Sequence, residues 1–303
     1  MKYFIITVDT EGDNLWAYKG GEIGTKNAEY LPRFQKMCEA YNFKPVYLTN
    51  YEMIQSDLYC QFAKDVIARN TAEIGIHLHA WNNPPLYDLP RNFDQNSYLI
   101  EYPLDIRRQK FSLLYNLIKD KIGIAPVTHR AGRWVMDVDY FNMLNEFNIK
   151  VDCSVTPFVS WKKTPGQMSF CGSDYSKANP YAHKIGEVLE VPMSVRKLHY
   201  LLDGRLKHKI KTVFFGNSLW LRPAMSSLKE MKHLIDVIDK EENADYLEFM
   251  IHSSEVMPNG SPYFITHEDI EKEYSTIQSI FDYVKSKGYY GVTLSEYYQL
   301  KNH

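Results

Sequence analysis

The sequence predicts a single α/β domain over residues 1–303 in which a mainly parallel sheet closes into a barrel. Short apolar runs alternate with segments of helical periodicity along the chain, the order typical of β–α–β units. About seven or eight such runs occur, a number that suits a distorted α/β barrel better than an open sheet. No linker and no internal repeat divides the chain, which is long enough to bury a substantial core.

The composition excludes several functional classes. The chain is 45% apolar, 24% charged and 14% aromatic, which indicates a globular protein rather than a disordered one. A formal net charge of −2 provides no basic field for nucleic acid or an anionic membrane surface. The first apolar run breaks at Asp9, too early for a signal peptide or a membrane span, so we expect a cytoplasmic protein without membrane insertion.

Strands are predicted where apolar residues run together between turn signals. The first run, 3–9, is almost continuously apolar and ends in acids, as expected for a parallel strand buried on both faces. The other predicted strands follow the same pattern and cover 45–49, 73–79, 127–130, 151–154, 188–192, 246–252 and 290–293.

Helices are predicted where apolar residues recur at spacings of three and four. This spacing covers 28–40, 51–68, 104–119, 139–146 and 227–239, and a short helix follows the last strand. The last long helix is expected to begin at Thr266, whose hydroxyl can cap the first turn together with Asp269, three residues later.

Two stretches interrupt this alternation and are interpreted as insertions over one end of the barrel. Residues 156–186 are rich in Pro, Gly, Ser and Asn, whereas 196–226 interleave basic and aromatic side chains. The basic stretch can hold an anionic substrate, although a solvated charged face is the simpler interpretation. Its basic residues are Lys197, Arg205, Lys207, Lys209, Lys211 and Arg222.

Titratable side chains stand at the ends of the predicted strands, where parallel α/β folds place their active sites. Asp9 and Glu11 are two residues apart, so an extended chain points both carboxylates the same way. His77 and His79 share a face for the same reason, and two such imidazoles can bind one Zn²⁺ or a similar ion. Turn chemistry for the acids and core packing for the histidines are the alternatives.

Three further strand ends carry groups suited to proton transfer. Arg130 can orient a carboxylate, or else form a structural salt bridge. His252 ends a buried strand and can act as a general acid, and Asp152 can support its imidazolium or serve as a turn residue. The fingerprints GxGxxG, GxxxxGK[ST] and GxSxG are absent from the sequence. These strand ends therefore favour metal-assisted hydrolysis.

The ordered segments TVDTEGD, EIGIHLHAW, HRAGRW, VDCS and MIHSSE resemble the motifs of the polysaccharide deacetylases, the NodB-homology or carbohydrate esterase family four. GYYGVTLSEYYQL resembles the family's closing strand and helix, so the resemblance runs from about residue 2 to residue 300. It implies a distorted (β/α)7 barrel, a divalent metal that is usually zinc, and hydrolysis of an N-acetyl group on a sugar.

The resemblance also assigns roles to individual residues. Asp9 matches the general base, Arg130 the residue that orients it, and His252 the general acid, which Asp152 tunes. His77 matches the first metal-binding histidine of the family.

The chain departs from the family at two ligand positions, and its HxHxW and RAGRW forms resemble a divergent branch of the family. Thr10 stands where many members have an aspartate ligand, and Trp81 stands where the second histidine usually occurs. Glu11 and His79 are the substitutes in this sequence.

The sequence therefore predicts a metal-dependent deacetylase of a polysaccharide or its precursor. Glu11, His77 and His79 would hold the divalent cation, and Trp81, Arg133 and Trp134 would contact the carbohydrate substrate. Tryptophans in or beside predicted loops, Trp16 and Trp161 included, can stack on a sugar ring. Two alternatives remain open, a metal-dependent hydrolase of a small non-sugar amide and an inactive carbohydrate-binding barrel.

Overall fold

A computed structural model describes residues 1–198 and 217–302. Much of the basic stretch predicted at 196–226 lies outside these residues, including Arg205, Lys207, Lys209 and Lys211. Among the described residues, no helix combines the length and apolar character that a membrane span requires.

One curved sheet of nine strands forms the centre of the molecule, with the path β10–β1–β2–β3–β4–β5–β7–β6 and β11 added beside β1. All pairings in it are parallel except that of β6 with β7. The strands are β1 (Tyr3–Thr10), β2 (Val46–Thr49), β3 (Glu73–Leu78), β4 (Thr128–Ala131), β5 (Val151–Asp152), β6 (His183–Ile185), β7 (Val188–Glu190), β10 (Tyr246–His252) and β11 (Tyr290–Gly291). A separate antiparallel pair is formed by β8 (Val195–Leu198) and β9 (Asn217–Trp220).

Helices cover the sheet and bury their apolar faces against it. They are α1 (Leu31–Ala40), α2 (Tyr51–Gln55), α3 (Asp57–Ala68), α4 (Leu104–Ile122), α5 (Val138–Glu146), α6 (Leu228–Ile238), α7 (His267–Ser286) and α8 (Leu294–Asn302). Within residues 1–198 and 217–302, five short 3-10 segments occur at Leu15–Ala17, Lys26–Glu29, Leu99–Glu101, Gly132–Trp134 and Ser253–Val256. The predicted cap of α7 is confirmed, since the Thr266 hydroxyl accepts from the Asp269 amide at 3.1 Å.

In the described residues the apolar core has three clusters, of which two lie on the two faces of the sheet and a third, small one consists of Met193, Val195, Trp220 and Met250. The larger one fills the space between the strands and the surrounding helices. The second lies inside the barrel and is closed by α8, whose Leu294 and Tyr297 pack against strand residues such as Ile5 and Val46. Tyr297 also donates to Asp245, just before β10, so α8 sits at the end where the strands begin.

The opposite end of the barrel, where the strands finish, is left to polar residues. Asp9 is in register with His252 across the β1–β10 pair, and His77 is in register with Arg130 across β3–β4. Residues in register on neighbouring strands point to the same face of a sheet. The register therefore brings these four side chains to one face at one rim.

Some predicted element boundaries were wrong. The predicted helix 51–68 is two helices, because Ser56 leaves the helical conformation and accepts from the Tyr59 amide to cap α3. The two predicted insertions contain strands that the apolar pattern did not show: β6 pairs with β7 through Gly186, which has a φ of 61°, and β8 pairs with β9.

Candidate metal and catalytic centre

Asp9 lies at the centre of the polar cluster at the end of β1. Its Oδ1 accepts from Nη1 of Arg130 at 2.6 Å, which fixes the carboxylate in one orientation. Its Oδ2 lies 3.8 Å from Nε2 of His77 and 3.8 Å from Nε2 of His252. Asp9 is only 2% exposed, so its free oxygen faces a small enclosed space between the two imidazoles.

Glu11, His77 and His79 form a buried group whose candidate ligand atoms all lie within 4.8 Å of one another. Oε2 of Glu11 is 3.5 Å from Nε2 of His77 and 3.2 Å from Nε2 of His79. The backbone of Glu11 is held by Ser253, whose hydroxyl contacts both the amide and the carbonyl of Glu11 at 3.1 Å. One carboxylate and two imidazoles are a donor set that suits Zn²⁺.

The hydrogen bonds around the two histidines fit a metal ligand role. Nδ1 of His77 lies 3.0 Å from the Arg130 carbonyl, which can only accept, so Nδ1 carries a hydrogen and Nε2 is the ring atom that faces Glu11. His79 is buried, and its Nδ1 has no hydrogen-bond partner. Burial lowers the pKa of His79 well below its usual value, with positive charge at His77 and His252 adding to the effect. A neutral imidazole is the form that binds a cation.

The electrostatics of the cluster keep Asp9 ionised. Burial raises the pKa of the Asp9 carboxyl, but positive charge at Arg130, His77 and His252 outweighs burial, and the pKa is lowered. Burial lowers the pKa of His77, but the carboxylates of Asp9 and Glu11 outweigh it and raise the pKa. The Asp9 carboxylate and the His77 imidazole therefore each favour the charged form of the other.

Arg130 connects this cluster to a second buried acid that sequence reasoning missed. Its Nη2 donates to Thr7 at 2.9 Å and to Glu248, a fully buried residue on β10. Burial raises the pKa of Glu248 to about 7, although the charge of Arg130 acts against this rise. Glu248 is four residues before His252 on the same strand, and side chains alternate between the two faces of a strand. The spacing in the sequence therefore indicates that Glu248 lies on the same face as His252.

The residues that support His252 differ from those expected. The guanidinium of Arg222 donates to Nδ1 of His252 at 2.9 Å and to Oε1 of Glu255 at 2.7 Å. Oε2 of Glu255 accepts from the His252 amide at 2.9 Å. Because Nδ1 accepts from Arg222, the hydrogen of a neutral His252 ring is on Nε2, the atom that faces Asp9 and Glu11.

The expected pairing of Asp152 with His252 was wrong. Oδ1 of Asp152 lies 2.6 Å from Nδ1 of His129, whose Nε2 lies 2.9 Å from the Tyr140 hydroxyl of α5. Asp152 is in register with His129, the residue next to Arg130, so its side chain is on the opposite face of the sheet from the site. Its role is to hold a buried network between β4, β5 and α5.

Sequence signals for the two partners of His252 were weak. Glu255 follows His252 by three residues in the segment MIHSSE, a spacing that a 3-10 turn brings together. The sequence analysis counts Arg222 among the basic residues of 196–226, for which a solvated charged face is the simpler interpretation. In the structure Arg222 is only 6% exposed and is part of the site. No motif in the sequence distinguishes it.

The three residues predicted to contact substrate lie in loops at the same rim. Trp81 stacks on His79, with ring centroids 4.3 Å apart, and the ring of Trp134 lies 4.9 Å from the Arg130 guanidinium. Arg133 donates to the carbonyls of Asn96 and Pro165 and thereby joins two loops. Contact of these residues with substrate stays a prediction.

Glu52 is a further buried residue that the sequence did not indicate. Its Oε1 accepts from the amide of Gly12, next to Glu11, at 3.0 Å. Its Oε2 accepts from Asn82, next to Trp81, at 2.6 Å. Glu52 therefore links the loop that carries Glu11 to the loop that follows β3.

No protein-family model and no curated protein matches the sequence. Solved structures match it along nearly its whole length. A protein from Parabacteroides distasonis, named as a candidate glycoside hydrolase/deacetylase, is 12% identical with a TM-score of 0.60, and the match covers 99% of this chain and 71% of that one. A candidate polysaccharide deacetylase from Mycobacterium smegmatis is 12% identical with a TM-score of 0.52, over 98% of this chain and 90% of that one.

A third match extends the same architecture to a different activity. A 4-alpha-glucanotransferase from Thermococcus litoralis is 12% identical with a TM-score of 0.51, over 99% of this chain and 38% of that one. At this identity the likeness shows the fold and not the activity. The distorted (β/α) barrel predicted from the sequence is confirmed, and the resemblance to polysaccharide deacetylases is confirmed at the level of the fold.

Proposed function

We propose that the protein is a metal-dependent hydrolase that removes an N-acetyl group from an amino sugar of a polysaccharide or its precursor. The observation that carries this proposal is the position of Asp9. Its free oxygen lies 3.8 Å from Nε2 of His77, in the candidate metal group, and 3.8 Å from Nε2 of His252, outside that group. A base between a cation site and a proton donor is the arrangement that amide hydrolysis requires.

Glu11, His77 and His79 would hold the cation in this proposal. When bound there, a divalent cation would supply an acidified water and a positive charge beside the acyl oxygen. The fit rests on the mutual distances of the three residues, on the direction of Nε2 of His77 towards Glu11 and on the neutral state that burial favours for His79.

The chain's own residues provide the proton transfers. Asp9, held by Arg130 with one oxygen free, accepts a proton from the attacking water. As an imidazolium, His252 would donate the Nε2 proton to the leaving amine as the C–N bond breaks, and the ring would return to its neutral form. Arg222 and Oε1 of Glu255, which lie 2.9 Å and 3.3 Å from Nδ1, fix the orientation of the ring. Hydrolysis then yields acetate and a free amino sugar.

Metal content and acetate release test the proposal together. Purified protein should bind about one equivalent of zinc and release acetate from N-acetylated glycans, and chelation should stop the release until zinc is restored. His77→Ala should lose both zinc and activity. His267→Ala, which changes an exposed histidine at the start of α7, is the matched control and should retain both.

Three other outcomes would contradict the proposal in different ways. Hydrolysis of small amides without acetate release from glycans would favour the non-sugar amidase. Glycan binding with an empty site under zinc saturation would favour an inactive binding barrel. Cleavage of a glycosidic bond would favour an activity on glycosidic bonds over removal of an acetyl group.

A further inference from the structure

Two large aromatic side chains are exposed beside His252 at the rim of the barrel. Trp16 is 39% exposed and Tyr263 is 43% exposed. The Trp16 ring lies 4.9 Å from the His252 ring and 5.9 Å from the Tyr263 ring, to which it is nearly perpendicular at 88°. Exposed apolar side chains gathered at one place commonly mark a binding surface.

The backbone holds these two rings in fixed positions. Trp16 lies in the short turn Leu15–Ala17, where Leu15 is buried, and the amide of Asn14 donates to the Gly260 carbonyl at 3.0 Å. Ser261 is fully buried and accepts from the Tyr263 amide at 3.3 Å. The two loops are therefore joined to each other, and the rings form one platform.

The platform lies on a definite side of the site. The Trp16 ring contacts the ring of His252, the residue proposed to protonate the amine. The opposite edge of the His252 ring faces the candidate cation ligands, with Nε2 3.7 Å from Oε1 of Glu11. The leaving amine remains attached to its sugar, so the sugar and its neighbours in a glycan extend over the His252 side. The apolar C–H faces of a pyranose ring can pack on an indole or phenol ring in the same way as other apolar groups.

We infer that Trp16 and Tyr263 form a subsite for a sugar ring next to the residue that is deacetylated, so that the substrate is an oligosaccharide or polysaccharide chain rather than a single sugar. This inference rests on the proposed function. It adds that recognition extends beyond the reacting residue and that Trp16 carries most of this additional contact.

Calorimetric binding tests the inference without turnover. The probes are N-acetylglucosamine and a panel of N-acetylated tetrasaccharides of glucosamine with β-1,4, β-1,3 and β-1,6 linkages. Wild type should bind one tetrasaccharide at least about tenfold more tightly than the monosaccharide, and Trp16→Ala should weaken only the tetrasaccharide, by about tenfold. Tyr263→Ala should act in the same direction, and Trp16→Phe should retain most of the affinity.

Two controls separate stacking from a disturbance of His252. Tyr290→Ala changes an exposed aromatic residue that pairs with Tyr3 at the opposite end of β1, and it should leave both affinities unchanged. Zinc content and monosaccharide affinity of Trp16→Ala should match wild type.

The inference is overturned if no tetrasaccharide binds more tightly than the monosaccharide, or if Trp16→Ala leaves the preference intact. Equal loss of affinity for both probes would also overturn it, because that result assigns Trp16 to the reacting sugar or to His252. Absence of acetate release with the binding preference retained would contradict the proposed function alone.

Discussion

At the scale of single residues, the charge balance around Arg130 decides which acid can serve as a base. Arg130 is fully buried between Asp9 and Glu248, and both carboxyls contact its guanidinium. The pKa of Asp9 is lowered, while that of Glu248 is raised to about 7. Near neutral pH, Asp9 is therefore the carboxyl that carries a full charge and keeps an oxygen free for the site.

Replacing the base tests this assignment directly. Asp9→Asn should reduce acetate release by at least about 100-fold, since it removes a positioned general base. The fold should persist because Arg130 retains Glu248 as a partner. The measurements are steady-state rates, zinc content and thermal unfolding, with Asp88→Asn in an exposed loop as the matched control. Normal turnover by Asp9→Asn at equal zinc content would reject Asp9 as the base.

A pair of isosteric changes distinguishes the partner of His252 from the acid on the opposite face. Glu255→Gln should lower kcat by about 10- to 100-fold with an unchanged zinc content, because it removes the carboxylate charge that lies 3.3 Å from Nδ1 of the His252 ring and that holds Arg222 beside it. Asp152→Asn should instead lower the free energy of unfolding by about 3 kcal/mol, because the hydrogen bond to His129 loses its carboxylate charge and the new amide NH2 would face the Ser154 amide, which is also a donor.

Rates and urea unfolding on both proteins measure these effects. If Asp152→Asn lowered kcat without destabilising the fold, Asp152 would support His252 in catalysis, as the sequence analysis predicts. If Glu255→Gln kept full activity, Arg222 alone would orient His252.

At the scale of elements, the site depends on how closely the ends of β3 and β4 approach. A Cβ added at Gly132, just after β4, would lie 2.5 Å from Cδ2 of His79 and would also collide with the Leu78 carbonyl. The absence of a side chain at Gly132 is thus required for His79 to reach the candidate metal group.

Gly132→Ala should therefore weaken zinc binding by at least about tenfold. Losses of this size are typical when residues that orient metal ligands are changed. The matched control is Gly291→Ala, where a Cβ would collide with Phe43 at the opposite end of β1. It should lower stability and leave zinc affinity unchanged. Competition titration against a zinc chelator measures both, and equal affinities in wild type and Gly132→Ala would contradict the argument.

Sequence periodicity predicted the residues of this rim wherever a strand was long enough to define its faces. Asp9 is the next-to-last residue of an eight-residue strand and His252 the last residue of a seven-residue strand, so the alternation of side chains defined the face on which each lies. Asp152 lies in a strand of two residues, which has too little pattern to define a face, and its predicted partner was wrong. Arg222 reaches the site from the segment after β9, through a connection that no local pattern describes.

At the scale of the whole molecule, the barrel separates stability from chemistry. The end where the strands begin is closed by α8 and an apolar core, which bury no unpaired charge around Leu294 and Tyr297 in the part of the chain that the structure describes. The end of the barrel where the strands finish contains buried carboxyl groups, and the pKa values of these groups are shifted in opposite directions. Burial at this end therefore makes the stability of the fold depend on pH.

The opposing shifts set the sign of that dependence. Burial and the negative charge of Glu255 raise the pKa of Glu273 on α7 to about 8, against an ordinary value of 4.5. A raised carboxyl pKa means that the folded state binds the proton more tightly, so this contribution to stability is present below about 4.5 and is lost as the pH rises to about 8. The pKa of Glu255, lowered to about 2 because positive charge at Arg222 and His252 outweighs burial, acts in the other direction and is lost only in acid.

We therefore expect the free energy of unfolding of the wild type to fall between pH 5 and pH 8. Glu273 contributes a decrease of about 1.4 kcal/mol for each pH unit over which it is protonated in the folded state and ionised in the unfolded state. Glu273→Gln keeps the shape of the side chain and cannot ionise, so it should match wild type near pH 5 and be more stable at pH 8. Urea unfolding at both pH values measures this, with the exposed Glu268→Gln on the same helix as the control. If the free energies of unfolding of Glu273→Gln and wild type changed with pH in the same way, Glu273 would be ionised in the folded protein. Burial of Glu273 would then not explain the pH dependence of stability.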